Sequence, residues 1–142
     1  MGLVDLLEEF YGIVYLPEMV ASELSHRSAP ETVRGWIQNR PRWAVVLPVK
    51  SASSDDLEAL DAGERDAITL AIELHADTLL ADDRQARLTA SRLGFRVSGT
   101  LSLLFDAADA GKIDFNQEVE RLLKLGFRAS RESIEDVRLR RR

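Results

Sequence analysis

Thr78-Leu79-Leu80-Ala81 is a nearly unbroken apolar run, with an amphipathic pattern from Gly63 to His75 before it and two aspartates, Asp82 and Asp83, directly after it. A short strand that is apolar on both faces predicts a parallel sheet covered by helices, because a sheet wetted on one side would alternate apolar and polar residues. In open sheets of that kind ligands collect outside the carboxyl ends of the strands, so Asp82 and Asp83 are expected at the functional edge. Glu64 and Asp66 open the preceding helix and bring a second acidic cluster to an element end. Carboxylates gathered without cationic partners suit a hard metal ion.

The rest of the chain alternates in the same way. Leu3 to Phe10 has apolar residues at helical spacing, Gly12 breaks it, and Ile13 to Leu16 reads as a strand. Pro17 suits the first position of a second helix, PEMVASELS, on which Met19, Val20 and Leu24 share a face and Glu23 falls on or near the opposite edge. A helix from Pro30 to about Gln38 follows, with Trp36 and Ile37 as its buried members, and then a strand from Trp43 to Val49. Ser51 to Asp56 reads as a loop offering N-caps, too short to link domains. Ile68, Leu70, Ala71, Ile72 and Leu74 are expected to pack along the helix from Gly63 to His75.

Arg84 to Leu93 predicts a helix stopped by Gly94, Phe95 to Val97 a fourth strand, and Leu101 to Ala110 another helix. The C-terminal third is helical, with Phe115 to Leu125 ended by Gly126 and a last helix capped by Ser130 that carries Ile134 and Val137. The expected class is alternating α/β.

The 142 residues predict one domain, 1–142, long enough to bury a core. With 45% hydrophobic and 30% charged residues the chain fits neither the disordered nor the membrane-spanning class. It has no cysteine, which excludes disulfides and thiolate zinc sites, and no signal-peptide succession, so a cytoplasmic location is expected. A net charge of −5 argues against a basic surface that coats nucleic acid, and it does not exclude a nuclease whose acids hold divalent ions, so charge decides little here. The basic end, Arg138-Leu139-Arg140-Arg141-Arg142, reads first as a solvated helix terminus that complements the macrodipole, with contact to phosphates as the lesser alternative.

Each acid also has a plainer role. Asp83 is the better placed N-cap for the helix from Arg84, which leaves Asp82 to point into the crevice. Glu64 and Asp66, in a first helical turn, favour the dipole. Glu23 is a solvent-facing helix residue that lies two turns past the first strand and can lean over the same edge. Combined with Asp82 and Asp83, Glu64 and Asp66 favour a metal site over separate surface roles, whereas Glu23 by itself says little. His26 and His75 have no partner at metal-ligand spacing, and neither a nucleophile elbow nor a glycine-rich phosphate loop occurs.

The run LDAGERDAITLAIELHADTLLADDRQARLTASRLGFRVSGTLSLLFDAADAGKI resembles the core of the PIN-domain proteins, specifically the bacterial and archaeal DUF3368 branch, which is related to toxin nucleases. That branch carries a G-E-x-x-A-I-x-L-A helix, an L-D-D-x-x-x-R strand end and a following G-T turn. YLPEMVASEL is similar to its V-x-P-x-x-V-x-x-E-L segment. The resemblance implies a three-layer α/β/α fold, with a central parallel sheet of about four strands here, and a helical C-terminus. It further implies a Mg²⁺- or Mn²⁺-dependent endoribonuclease, often the toxin of a prokaryotic toxin–antitoxin pair, with RNA as substrate and an antitoxin protein as partner. Position by position, Glu23 matches the acid of the second helix, Glu64 that of the central helix and Asp82 that of the strand end, with Asp83 beside it and Asp66 as an alternate. These residues would hold metal that orients a water and stabilises the leaving oxygen.

One family element is absent. Family members begin with a strand ending in aspartate, whereas Met1 here falls inside the helix that follows it, and Asp5 is poorly placed to substitute. That strand would be central, between the runs Ile13 to Leu16 and Thr78 to Ala81. Its absence is expected to let those two pair directly, to leave a gap that another chain fills, or to mark a start placed too late. An exposed strand edge invites association, so a homodimer or higher oligomer is expected. Two other readings compete: a degenerate, non-catalytic PIN-like module that binds a partner protein or RNA, and a phosphoryl-transfer domain using Asp82 and Asp83. The last lacks a nearby lysine, Lys50 and Lys112 being the nearest in sequence.

Overall fold

The structure, a computed structural model, describes residues 4–124 and 129–140. Two compact units divide the chain, residues 1–97 and residues 98–142. The expectations placed on Met1, Leu3, Leu125, Gly126, Arg141 and Arg142 fall outside the described residues.

In the first unit, helix α1 (Asp5–Tyr11) stops at Gly12, whose φ of 73° lies in the region open to glycine, and the chain enters strand β1 (Val14–Pro17). β1 pairs in parallel with β2 (Ala44–Leu47), in register from Val14 opposite Ala44 to Pro17 opposite Leu47. The crossover between them carries α2 (Glu18–Ser25) and α3 (Glu31–Gln38). Pro17 and Pro30 are the extended residues that precede these helices rather than their first helical residues. Ile37 is buried, and Trp36, half-buried, tilts against Trp43 with ring centroids 6.0 Å apart.

The segment expected to be loop contains a 3₁₀ turn, Asp55–Leu57, capped by the Ser54 hydroxyl, and it sends Leu57 inward. Helix α4 (Ala62–Leu74) buries Ile68, Leu70 and Ala71, but its cover ends there: Ile72 and Leu74 are exposed, contrary to the expected packing. α4 closes with His75 in the left-handed region (φ 52°, ψ 45°), the His75 N–H donating to Ile72 and the Ala76 N–H to Ala71. That reverse turn satisfies two terminal carbonyls.

β3 (Thr78–Leu80), α5 (Arg84–Arg92) and β4 (Arg96–Ser98) follow, and β3 pairs with β4. Only Leu79 of β3 is fully buried; Thr78 and Leu80 are half-buried, so burial on both faces is partial. Leu79 packs with Leu57, Leu60, Ile68, Ala71, Ala86 and Ala90 in one apolar cluster.

The result is a mixed α/β structure of helices and short strands, in which the expected sheet of about four strands is not formed. β1 with β2 and β3 with β4 make two separate two-stranded sheets, and β1 does not pair directly with β3. A continuous sheet needs neighbouring strands about 4.8 Å apart, and among the described residues no strand stands between β1 and β3. α4 instead packs against both.

In the second unit, α6 (Thr100–Asp109), α7 (Phe115–Lys124) and α8 (Arg131–Arg140) carry the buried Leu103, Leu104, Ala107, Val119 and Val137. The Ser130 hydroxyl caps α8 by accepting from the Ser133 N–H at 3.0 Å. Phe105 meets Phe115 edge to face at 5.7 Å, and the Arg138 guanidinium lies 5.5 Å from the Phe115 centroid while bonding Asn116 and Glu135. Arg138, the first residue of the basic end, is thus held by an aromatic face and two acceptors, and Arg141 and Arg142 lie outside the described residues. Among the described residues no helix is long and apolar enough to cross a membrane.

Candidate functional site

Two helix starts build the acidic site, both by the same local device. Asp61 precedes α4 in an extended conformation and its carboxylate accepts from the Glu64 N–H at 3.1 Å. Asp83 precedes α5 and accepts from the Ala86 N–H at 3.0 Å. Each carboxylate satisfies a helix-end donor and is thereby fixed in direction.

Glu64 is the third residue of α4, the position from which a glutamate commonly folds back onto the cap's own N–H. Here its Oε2 is buried and has no hydrogen-bond donor. Its neighbours are the carboxyl groups of Asp61 and Asp83, which are acceptors themselves. Burial, then the contact and charge of Asp61, then those of Asp83, push the Glu64 carboxyl up to about 7. Three carboxyl groups meet favourably only around a proton or a cation.

Glu23 arrives from α2, which packs on α4. Its carboxylate lies over Gly63, where a Cβ atom would stand 2.9 Å from Oε1 and 3.0 Å from Oε2. Asp82 follows β3 by two residues and is exposed. A cavity of about 360 Å³ within the first unit is lined by Glu23, Asp61, Glu64, Asp82 and Asp83, with Val20, Gly63, Ala67 and Leu79 among its apolar wall and floor.

Glu23, Glu64, Asp82 and Asp83 are thus brought together, and Asp66 is not. Asp66 lies two positions after Glu64, about 200° of helix rotation, and it is half-buried outside the cavity. Asp5 is an exposed residue of α1's first turn, also outside it. His26 contacts Ser28, its Nδ1 accepting from the Ser28 N–H at 3.1 Å, and neither histidine lines the cavity. Asp61 is the acid that sequence reasoning missed; the D-x-x-E spacing of Asp61 and Glu64 before an apolar run was its signal.

The donors suit a divalent cation in kind. They are carboxylate oxygens, and among the described residues one of them is buried without a donor and no lysine or arginine lines the cavity. Among the described residues, however, no group of three or more His, Cys, Asp or Glu side chains closes into a ligand set.

The family model of DUF3368, described as a PIN domain, matches residues 1–141. No curated protein and no solved structure matches the chain.

Proposed function

Because the chain belongs to the DUF3368 family of PIN domains, we propose that it is a divalent-metal-dependent ribonuclease. The family is nuclease-like in general, is generally metal-dependent and typically binds RNA. The observation that carries the reading is the convergence of Glu23, Asp61, Glu64, Asp82 and Asp83 from three elements on one cavity.

In this reading Glu23, Glu64, Asp82 and Asp83 hold Mg²⁺ or Mn²⁺. The bound cation would activate a water and neutralise charge on the leaving oxygen of a phosphodiester. The protein's own contribution is orientation. Asp61, fixed by its capping bond, braces Glu64; Asp83 caps α5 and faces the same carboxyl; Leu79 and Ala86 of the apolar cluster keep that end of the cavity rigid. The same reading makes the chain a cytoplasmic toxin with an antitoxin protein as partner. Among the described residues each sheet has only two strands, and Tyr15 of β1 and Ile13 just before it are exposed at 46% and 54%, which supports a homodimer.

The test is cleavage of a mixed-sequence single-stranded RNA with Mn²⁺, beside a metal-free control and the variants Asp82→Asn and Glu64→Gln. Metal-dependent cutting by the parent, reduced about 100-fold or more in either variant, is expected, the loss typical of a removed transition-state contact. Equal cutting by parent and variants would refute the site. A second reading, a non-catalytic module that binds RNA or a protein without cutting, draws on the unclosed ligand set. RNA retention without cleavage at saturating Mn²⁺ would favour it.

A further inference from the structure

We infer that Gly63 is a positioning residue: its missing side chain is the seat that brings the Glu23 carboxylate of α2 against the start of α4, and so into the acidic cavity. Nothing in the backbone asks for glycine there. Gly63 is helical and buried, and its φ is not positive, unlike those of Gly12, Gly94 and Gly111. A glycine inside a helix carries a stability cost relative to alanine, so one without a conformational reason needs another.

That reason is what fills its space. A Cβ on Gly63 would stand 2.9 Å from Glu23 Oε1, 3.0 Å from Oε2 and 3.2 Å from Cδ. Real Cβ atoms essentially never come so close, so an alanine there displaces the carboxylate. By contrast, a Cβ on Gly12, Gly35, Gly94 or Gly111 meets nothing within 4 Å. Glu23 is otherwise an exposed, long and rotatable side chain. Against Gly63 its charge sits near the first-turn N–H groups of α4, where a negative group is favoured. The neighbour that must yield is the tip of a flexible side chain, not backbone, so alanine at 63 moves Glu23 without breaking the fold.

This inference deepens the metal-site reading and rests on it where cation binding is concerned; the steric seat itself does not need a metal. The experiment therefore has two arms. Titration calorimetry with Mn²⁺ alone compares the parent with Gly63→Ala, and thermal unfolding without metal compares Gly63→Ala in the parent and in a Glu23→Ala background. Expected are a Tm of Gly63→Ala no lower than the parent's, a Mn²⁺ affinity at least 10-fold weaker, and partial recovery of that affinity in Gly63→Ala/Glu23→Asp, whose carboxylate is one methylene shorter. The alanine should raise Tm by roughly 2–4 °C more when Glu23 is already alanine, since the contact is then gone.

Unchanged Mn²⁺ affinity in Gly63→Ala overturns the inference and leaves the metal site standing. Absence of Mn²⁺ binding in the parent overturns the metal-site reading, and the unfolding arm then decides alone: a Tm difference between backgrounds upholds the seat, and equal shifts overturn it. A Gly63→Ala chain that loses stability in both backgrounds also overturns it, since the glycine would then serve packing unrelated to Glu23.

Discussion

Glu64→Gln should stabilise the metal-free protein at alkaline pH and leave it unchanged in acid. The Glu64 carboxyl sits at about 7 in the folded chain against an ordinary value of 4.5, so the fold binds that proton more tightly than the unfolded chain does. Below 4.5 the group is protonated in both states and has no effect. As pH rises from 4.5 to 7 the unfolded chain ionises freely while the folded one resists, and stability falls; above 7 the full cost is present. The rise taken at face value converts to roughly 3 kcal/mol. Because Glu64 is only half-buried, solvent screens much of that, and about 1–2 kcal/mol is the figure to test.

Glutamine has nearly the same shape, carries no charge and offers an NH₂ to Asp61 and Asp83, so the variant removes the penalty and fills the donor vacancy at Oε2. Thermal unfolding of parent and variant across pH 4 to 9 in the presence of a chelator measures it. The difference in Tm should be near zero at pH 4 and grow to roughly 3–6 °C by pH 8. Taking the difference between parent and variant cancels, to first order, whatever pH does elsewhere in the chain. A flat difference across that range would falsify the account of Glu64 as a carboxyl crowded by Asp61 and Asp83.

Three further outcomes follow from the same geometry. Asp83→Ala should cost about 1 kcal/mol through the lost cap of α5, whereas Asp83→Ser, which caps but carries no charge, should cost well under that; equal losses in chemical denaturation would mean the charge rather than the cap matters. His75→Gly should stabilise by about 0.5–1 kcal/mol, since glycine adopts the left-handed end of α4 without steric cost, and an unchanged denaturation midpoint would count against that reverse turn. Glu73, held below its ordinary range chiefly by the Ser51 hydroxyl and also by the Lys50 and Ser51 N–H groups, favours folding above its ordinary value and loses that contribution as pH falls. Glu73→Ala should therefore speed hydrogen exchange at the Lys50 and Ser51 amides at pH 7, and unaltered protection there would refute the pinning.

The strands and helices were readable because their signals are local, and the sheet was not because its signal is not. Proline before α2 and α3, serine before α8 and aspartate before α5 fix helix starts from within a few residues, and Gly12 and Gly94 stop elements through positive φ. Which strand lies beside which depends on backbone groups far apart in sequence, and nothing in Val14–Pro17 or Thr78–Leu80 specifies a neighbour. The site divides along the same line. Glu64, Asp82 and Asp83 stand at element ends within one run, so element geometry alone brings them to one edge. Asp66, on the same helix, lies outside the cavity because a two-residue step turns it away. Asp61 was passed over because a residue before a helix reads as punctuation, and Gly63 because a glycine inside a motif shows no chemistry of its own. The signal of Asp61 was local, its D-x-x-E spacing to Glu64, whereas Gly63 owes its importance to a side chain brought from elsewhere, the carboxylate of Glu23, 40 residues earlier. The contribution of a glycine to an acidic site is thus a property of the contact between α2 and α4, which is why the variant at Gly63 must be read together with the one at Glu23.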